Sequence, residues 1–451
     1  MSRILLISYY FPPIGGAGAQ RPAKFVRHLI DRGHSLVVIT GSGQTGRTWT
    51  PPDETLMLDV PTEVEILRVP GPEPEVRAGA VGRIRRLLRR DTLWARWWRS
   101  GVMTLGTALT DVDVIYTIMS PFSSAEPSHE LARKLGIGWI ADLGDPWALD
   151  EMTVYPTGLH RRMEIAHMRR MLRTSAAVVM STPEAARQVV DTFPELSGRP
   201  VVAISNGYDA ADFADDTIAP RDPNKFRIVH TGYLHTELGL QQHRHKHLRH
   251  ILGGTVPGVD ILTRSHVYLL EAVSQLLAND PTLRDRLEVH LAGVLSETDR
   301  TIAAGVPVTV LHGYLSHADS IALMRSADLL FLPMQNLPPG RRSTTVPGKT
   351  YEYLATGRPI LAAIPPGDAH DILERSGRAL LCRPDNTAAI AEAIAAALSA
   401  RDADASPLLD DDLVQSFERR ELTRELADLM RVVGAESRAS DLPVDLAGVP
   451  R

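Results

Sequence analysis

Cysteine is almost absent from these 451 residues: Cys382 is the only thiol. An intrachain disulfide is therefore impossible and a cysteine-built metal site is excluded. Such a chain suits a reducing compartment, so the expected location is cytoplasmic. No apolar run approaches the ~20 residues that span a bilayer, which leaves a soluble or peripheral protein. The N-terminal run Arg3-Ile4-Leu5-Leu6-Ile7-Ser8 is short and lacks a small-residue cleavage pattern. It reads as a first β-strand and not a signal peptide. Neither sign of charge dominates: 49 Lys and Arg stand against 54 Asp and Glu, for a net charge of −5. A polyanion such as nucleic acid is thus not the expected partner. The remaining composition, 44% hydrophobic and 23% charged, is ordinary for a globular chain, and the length makes two domains the natural prior.

What is present is alternation. The apolar strand 3–8 leads through YYFPPIGGAGAQR (9–21) into a helical pattern with Phe25, Val26, Leu29 and Ile30 on one side, which stops at Gly33; strand 35–40, SLVVIT, follows. Such a βαβ unit implies a parallel sheet. Further strands are expected at 65–69, 114–118, 138–143, 177–181 and 200–204. Helices are expected at about 83–107, 126–135, 158–174 and 183–192, the last with Thr182 as N-cap and Pro183 in its first turn. Residues 214–225, ADDTIAPRDPNK, read as a linker. A second series then predicts strands at 227–231, 287–292, 308–312, 329–333, 359–364 and 379–382. Its helices fall at about 266–279, 317–326, 349–356, 368–376 and 387–400. The expected fold is α/β: two doubly wound, Rossmann-like domains, 1–213 and 226–405, facing each other across a cleft. A helix at about 411–434 and an irregular tail, 435–451, complete the chain. Ligands of open parallel sheets bind beyond the carboxyl ends of the strands, so the cleft is the expected site.

Two stretches carry chemistry. The loop Gly15-Gly16-Ala17-Gly18 precedes a helix, but Arg21 stands where a dinucleotide fingerprint needs its third glycine, and Gly16 lies too far past the strand for a tight turn. Dinucleotide binding is disfavoured. The loop is either plain surface or a place where backbone N–H groups meet a phosphate or sugar. In VPGKTYEYLATGRPI (346–360), Pro347-Gly348 breaks the chain just before a helix beginning near Lys349. A free helix N-terminus with a lysine suits phosphate, and the Glu352 carboxylate, on about the same face, can accept two hydrogen bonds from a ribose diol. The plainer reading is a capped helix with a surface ion pair.

The order of pieces resembles the retaining GT-B glycosyltransferases of family four. ILLISYYFPPIGGAGAQR, ADLGDPW (141–147), SNGYD (205–209), VHTGYL (229–234), HLAGVLSETDR (290–300), HGYLSHADSIALMRSADLLFLP (312–333) and PGKTYEYLATGRPILAAIPPG (347–367) carry the resemblance over nearly the whole chain. It implies sugar transfer from a nucleotide-diphosphate donor to an acceptor hydroxyl. Gly15 and Gly16 would border the donor phosphates and the acceptor. Gly232, Gly348 and Thr350 would line the donor side, and the Gly313-Tyr314 region would hold the base through backbone atoms. Lys349 would face the diphosphate and Glu352 would grip the ribose. Ser120 and Asp145 would lie on the acceptor side, with Asp145 near acceptor or donor sugar. Arg264 would be the retained phosphate contact, with Arg244 and Lys246 as alternatives. Two departures stand out. Thr344 occupies the first position of the family's Glu-x7-Glu pattern, which normally contacts the donor sugar. Gly144 stands where a histidine often precedes the aspartate. An Asp145-Pro146-Trp147 version is known in the family; read plainly, Asp145 is a turn or cap residue.

The stretch 236–263 replaces the usual basic pair with an insertion containing HRHKHLRH (243–250). His243, His245, His247 and His250 cluster there without a close acidic ligand, so a mobile basic lid or solvated loop is favoured over a metal site. The run RIRRLLRRDTLWARWWR (83–99) mixes arginine with tryptophan, as interfacial helices do. It allows peripheral contact with the inner membrane face or an anionic or lipid-linked acceptor; plain packing of its apolar residues on the sheet is the alternative. No cofactor or metal is expected, because fixed cations would carry the leaving group's charge. Alternatives are a sugar-nucleotide epimerase of the same architecture and a degenerate, non-catalytic nucleotide-binding protein.

Overall fold

A computed structural model describes residues 1–45, 50–74, 93–215, 217–244, 251–402 and 411–440. Two parallel sheets organise it. The first contains β1 (Arg3–Ile7), β2 (Ser35–Thr40), β3 (Glu65–Arg68), β4 (Val114–Ile118), β5 (Trp139–Leu143), β6 (Ala177–Met180) and β7 (Val201–Ala203), in the order β3-β2-β1-β4-β5-β6-β7. The second contains β8 (Phe226–Thr231), β9 (Leu287–Ala292), β10 (Thr309–Gly313), β11 (Leu329–Pro333), β12 (Ile360–Ala363) and β13 (Ala379–Cys382), in the order β10-β9-β8-β11-β12-β13. All strand pairs run parallel, with β1 in register Ile4↔Leu36 and Ile4↔Val114 across its two neighbours. Both orders reverse beside the first strand of the sheet, and that reversal opens the crevice where ligands of such folds bind. The central strands are buried on both faces, which is why they read as continuous apolar runs. Core clusters on either face of each sheet cover them with helices.

The helices that position the cleft are α1 (Ala17–Asp31), α2 (Leu93–Gly106), α3 (Thr236–Arg244), α4 (His317–Arg325), α5 (Lys349–Thr356) and α6 (Arg419–Ser440). Thr182 caps helix Pro183–Thr192 as its sequence predicts, accepting from the Ala185 N–H. The expected helix over 411–434 is two pieces, Asp411–Gln415 and α6, and α6 runs on to Ser440. The break has a clear cause. Residues 416–418 leave the helix where the chain pairs with Tyr208, whose N–H donates to Phe417 O and whose carbonyl accepts from Arg419 N–H. The segment crosses here from the second sheet to the first, and Leu422, Leu426, Leu429, Met430 and Val433 pack beneath β1 and β4.

The described parts of the 236–263 insertion are folded, contrary to a solvated or mobile loop. Val256, Val259 and Ile261 pack with Leu337 and reach Met152 and Val154 of the first half. Tyr155 N–H donates to Gly254 O and Gly158 N–H to Leu252 O. Apolar contact and backbone pairing together tie the insertion down. His243 pairs with Asp260 at 2.8 Å; His245, Lys246, His247 and His250 lie outside the described residues. So does 83–92 of the arginine–tryptophan run. Its remainder opens α2, where Trp98 is fully buried and donates to Ser124 Oγ, while Trp97 donates to Pro70 O. Trp94 and Trp98 lie edge-on to the Tyr9 ring. These tryptophans pack on the first sheet. No helix among the described residues is long and apolar enough to cross a membrane.

Candidate functional site between the two sheets

The carboxyl ends of the two sheets face each other and enclose a cavity of about 400 Å³, lined among others by Gly16, Ala17 and Ser120 from the first half and Gly232, Gly293 and Tyr314 from the second. Gly16 adopts φ 87°, a left-handed conformation that favours glycine, and a Cβ there would meet only Pro51 at 4.0 Å. Its backbone is open to the cavity. Gly15 is different: a Cβ there would collide with the Tyr314 hydroxyl and lie 2.7 Å from Asp53 Cβ. Gly15 therefore makes room for a protein contact between the halves.

That contact is a latch. The Tyr314 hydroxyl donates to Asp53 Oδ2 at 3.3 Å, and the His317 N–H at the start of α4 donates to the same oxygen at 3.0 Å. Burial and the Asp53 carboxylate push the Tyr314 phenol up to about 12. The His317 ring bridges Asp212 at 2.8 Å and Gln20 at 3.0 Å. Tyr314 thus brings its side chain to the interdomain contact, where sequence comparison had pointed only to its backbone.

Deeper in the cleft lie the cations. Lys349, first residue of α5, has one hydrogen-bond partner among the described residues, His230 Nε2 at 3.3 Å. His230 Nδ1 sits 3.0 Å from Phe331 O, which can only accept, so Nδ1 carries the proton and Nε2 is left to receive Lys349. Burial, then the Lys349 charge, hold His230 well below the ordinary histidine range, keeping it neutral. Lys349 itself is lowered to about 7 by burial and by the Arg264 charge, with Glu352 partly opposing. Gly232 holds φ 111°, a conformation that favours glycine, and a Cβ there would stand 2.6 Å from Lys349 Nζ and make the ammonium shift. Arg264 donates to Gln335 Oε1 at 3.2 Å and contacts Met152 Sδ at 3.5 Å. Burial lowers it, opposed by Asp145, Asp150 and Glu151. Among the described residues neither Lys349 nor Arg264 touches a carboxylate. Two neighbouring cations left in this state form a site that favours an anion.

The N-terminus of α5 adds to the same field. Gly348 provides no side-chain cap, and Thr350 Oγ1 is buried without a partner among the described residues. Glu352 is part-buried in the first turn and makes no side-chain hydrogen bond among the described residues. Its carboxylate is close enough to act on Lys349 and His317.

Asp145 faces the cations from the first half. Its carboxylate is accessible to the cleft yet enclosed by protein; burial raises its pKa, Arg264 lowers it and Glu151 raises it. It does not act as a cap: the Trp147 N–H bonds the Asp145 carbonyl at 2.8 Å, not its side chain. Trp147 holds φ 48°, a conformation costly for a bulky residue, and is fixed by stacking on Phe122 and by donating to Glu164. Asp150 is raised to about 6, by burial first and then by Asp145. The alternative phosphate contact Arg244 lies exposed at the end of α3.

Several participants carry no signal in local spacing. His230 hides inside a buried strand; Asp53, Glu151 and Gln335 come from three different loops and strand ends. The hydroxyl of Thr344 donates to Glu151 at 2.9 Å, so a carboxylate from the first half stands against that position. Asp142 and Arg21, within quoted motifs, serve the fold: they form a buried pair at 2.9 Å joined by the Tyr116 hydroxyl, and Arg21 also donates to Ser205 O and Ile204 O.

Two Rossmann-like domains closing on such a cleft define the GT-B architecture. Residues 261–400 match the family described as Glycosyl transferases group 1. Over 105 residues the chain is 35% identical to the D-inositol 3-phosphate glycosyltransferase of Geodermatophilus obscurus, a match spanning 21% of this chain and 22% of that relative's length. The solved structure of an α,α-trehalose-phosphate synthase (UDP-forming) from Burkholderia vietnamiensis superposes with a TM-score of 0.61 at 14% identity, covering 97% of this chain and 98% of that one. HepE from Anabaena, in complex with UDP-glucose, superposes with a TM-score of 0.51 at 14% identity, covering 98% and 99%. At these identities the structural likeness concerns the fold.

Proposed function

We propose that the protein is a nucleotide-sugar-dependent glycosyltransferase acting with retention of anomeric configuration and without a metal. The observation that carries this reading is the unpaired cation pair, Lys349 and Arg264, at the uncapped start of α5. The group 1 match over 261–400 and the UDP-glucose complex of a fold relative support a nucleoside-diphosphate sugar as donor. In the reaction the bond between the anomeric carbon and a phosphate oxygen breaks, and the electron pair leaves with the diphosphate. The acceptor oxygen bonds to the anomeric carbon on the same face, and its proton passes to the departing phosphate oxygen. Lys349, Arg264 and the helix N-terminus stabilise the charge where it develops. Glu352 accepts from the ribose hydroxyls. Asp145 and Ser120 border the side from which the acceptor enters, and the open Gly16 backbone lets the first half approach donor and acceptor. Closure through the Asp53–Tyr314 latch excludes water and limits hydrolysis of the donor.

Calorimetric titration with UDP, GDP, ADP and TDP tests the reading. One diphosphate is expected to bind, and Glu352→Ala to weaken it by roughly ten- to a hundredfold, the worth of hydrogen bonds to a charged group. Failure of all four to bind would remove the donor site. Incubation with the donor sugar alone separates transfer from epimerisation, which needs no acceptor.

A further inference from the structure

Glu151 belongs to the first half of the molecule but spends its carboxylate on the second. The side chain is buried and accepts three hydrogen bonds, from Gln335 Nε2, Ser343 Oγ and Thr344 Oγ1, each at 2.9 Å. The three donors are buried as well. Gln335 lies just beyond the end of β11, and its other amide atom, Oε1, accepts from Arg264 Nη1. A guanidinium can only donate, and a carboxylate ringed by three donors accepts, so the amide between them has one allowed orientation. Its oxygen must face Arg264. The amide nitrogen also donates to Ser343 Oγ at 3.2 Å, which itself donates to Glu151, so without Glu151 the amide keeps only a partner that has lost its own anchor. Apart from Gln335, the hydrogen-bond contact of Arg264 among the described residues is the weakly accepting Met152 sulfur, while Asp145, Asp150 and Glu151 act on it through their charge.

We propose that Glu151 is a positioning residue for the anion site, holding the Gln335 amide across the cleft so that Arg264 is aimed at the diphosphate only when the two halves meet. The inference rests on the function proposed above and deepens it. When the cleft opens, Gln335, Ser343 and Thr344 lose their shared acceptor and the guanidinium loses its alignment. Closure then does two things at once: it excludes water and completes the electrostatic clamp on the leaving group. A cation aligned in advance avoids reorganisation at the moment of reaction, and that alignment is provided here by a carboxylate of the opposite domain.

A double-mutant cycle tests this, read by calorimetry with whichever of UDP, GDP, ADP or TDP the wild-type protein binds. Glu151→Gln is nearly isosteric, and Gln335→Leu removes the relay while keeping its bulk; melting curves verify that both fold. With Arg264 present, each is expected to weaken diphosphate binding about tenfold. In an Arg264→Ala background, each is expected to change it by less than about twofold, because no guanidinium remains to be aimed. A merely structural Glu151 would give the same loss in both backgrounds, and that result overturns the proposal. So does full affinity in Glu151→Gln with Arg264 intact. If the wild-type protein binds none of the four diphosphates, the donor-site reading itself fails; if it binds one and the cycle shows no coupling, only the positioning role fails.

Discussion

Replacing Lys349 with methionine should make the empty protein more stable and the liganded protein less so. Burial and Arg264 bring the ammonium from 10.5 to about 7. At ~1.4 kcal/mol per pKa unit, a drop of about 3.5 units corresponds to roughly 5 kcal/mol of destabilisation when the lysine is charged, as an upper bound. Water in the cleft screens a part-exposed side chain, so about half, ~2–3 kcal/mol, is the expected effect. The sign follows from proton binding. Between about pH 7 and 10.5 the unfolded chain binds the lysine proton and the folded site releases it, so wild-type stability rises with pH across that window. The penalty is full below pH 7 and gone above 10.5. An unfolding entropy of about 2.1 cal/mol/K per residue over 451 residues gives about 0.95 kcal/mol/K, so Lys349→Met should raise the melting temperature by ~2–3 °C at pH 6.5. The gain should fade toward pH 10. A bound diphosphate at a thousand times its Kd should add about 4.1 kcal/mol to the wild type and little to a variant that has lost the lysine contact, reversing the order. Scanning calorimetry with and without UDP, GDP, ADP or TDP reads both effects. A variant that melts below the wild type at pH 6.5 without ligand would refute the argument that Lys349 is held as a repelled, poorly solvated cation.

Other consequences follow from the same geometry. Diphosphate affinity should be about tenfold higher at pH 6 than at pH 8.5, because Lys349 must be protonated to bind; near pH 7.5 binding should take up a proton, visible as heats that vary with buffer ionisation enthalpy. Gly232→Ala places a methyl 2.6 Å from Lys349 Nζ at a φ of 111°, and should weaken diphosphate binding at least about tenfold while leaving the far-ultraviolet circular dichroism unchanged. Arg21→Met leaves the Asp142 carboxylate buried beside Tyr116 without its cation; a loss of about 3–5 kcal/mol, or ~3–5 °C in the melt, is expected. Diphosphate affinity in the folded fraction should stay as it was, since this pair serves the sheet and not the cleft.

Period and punctuation made the two sheets legible. Strands such as Val114–Ile118 and Leu329–Pro333 are apolar without alternation because both of their faces are covered, and that is a local property of a central parallel strand. The helix beginning at Lys349 was equally plain, since Pro347-Gly348 interrupts the chain just before it and Gly357 ends it in a left-handed cap. Legibility failed where a long-range contact overrides local preference. Residues 416–418 carry an amphipathic pattern continuous with their neighbours, yet pairing with Tyr208, more than 200 residues earlier, takes them out of the helix. The insertion at 236–263 looks polar and basic, but the few apolar residues Val256, Val259 and Ile261 find Met152 and Val154 in the other half and fold it down.

The amino-acid sequence by itself determined that this is a two-sheet α/β protein, that no intrachain disulfide forms in it, and that Lys349 and Glu352 share the first turn of one helix. These are consequences of composition and of contacts only a few residues apart. The tertiary structure alone decided that Lys349 lies against His230 and Arg264, that Gly15 yields to Tyr314, and that Glu151 reaches Arg264 through Gln335. The reason is physical. The charge state of a buried group and the direction of a hydrogen bond depend on what else has been removed from water around it. Those neighbours arrive from both halves of the chain, and only closure of the two domains brings them together.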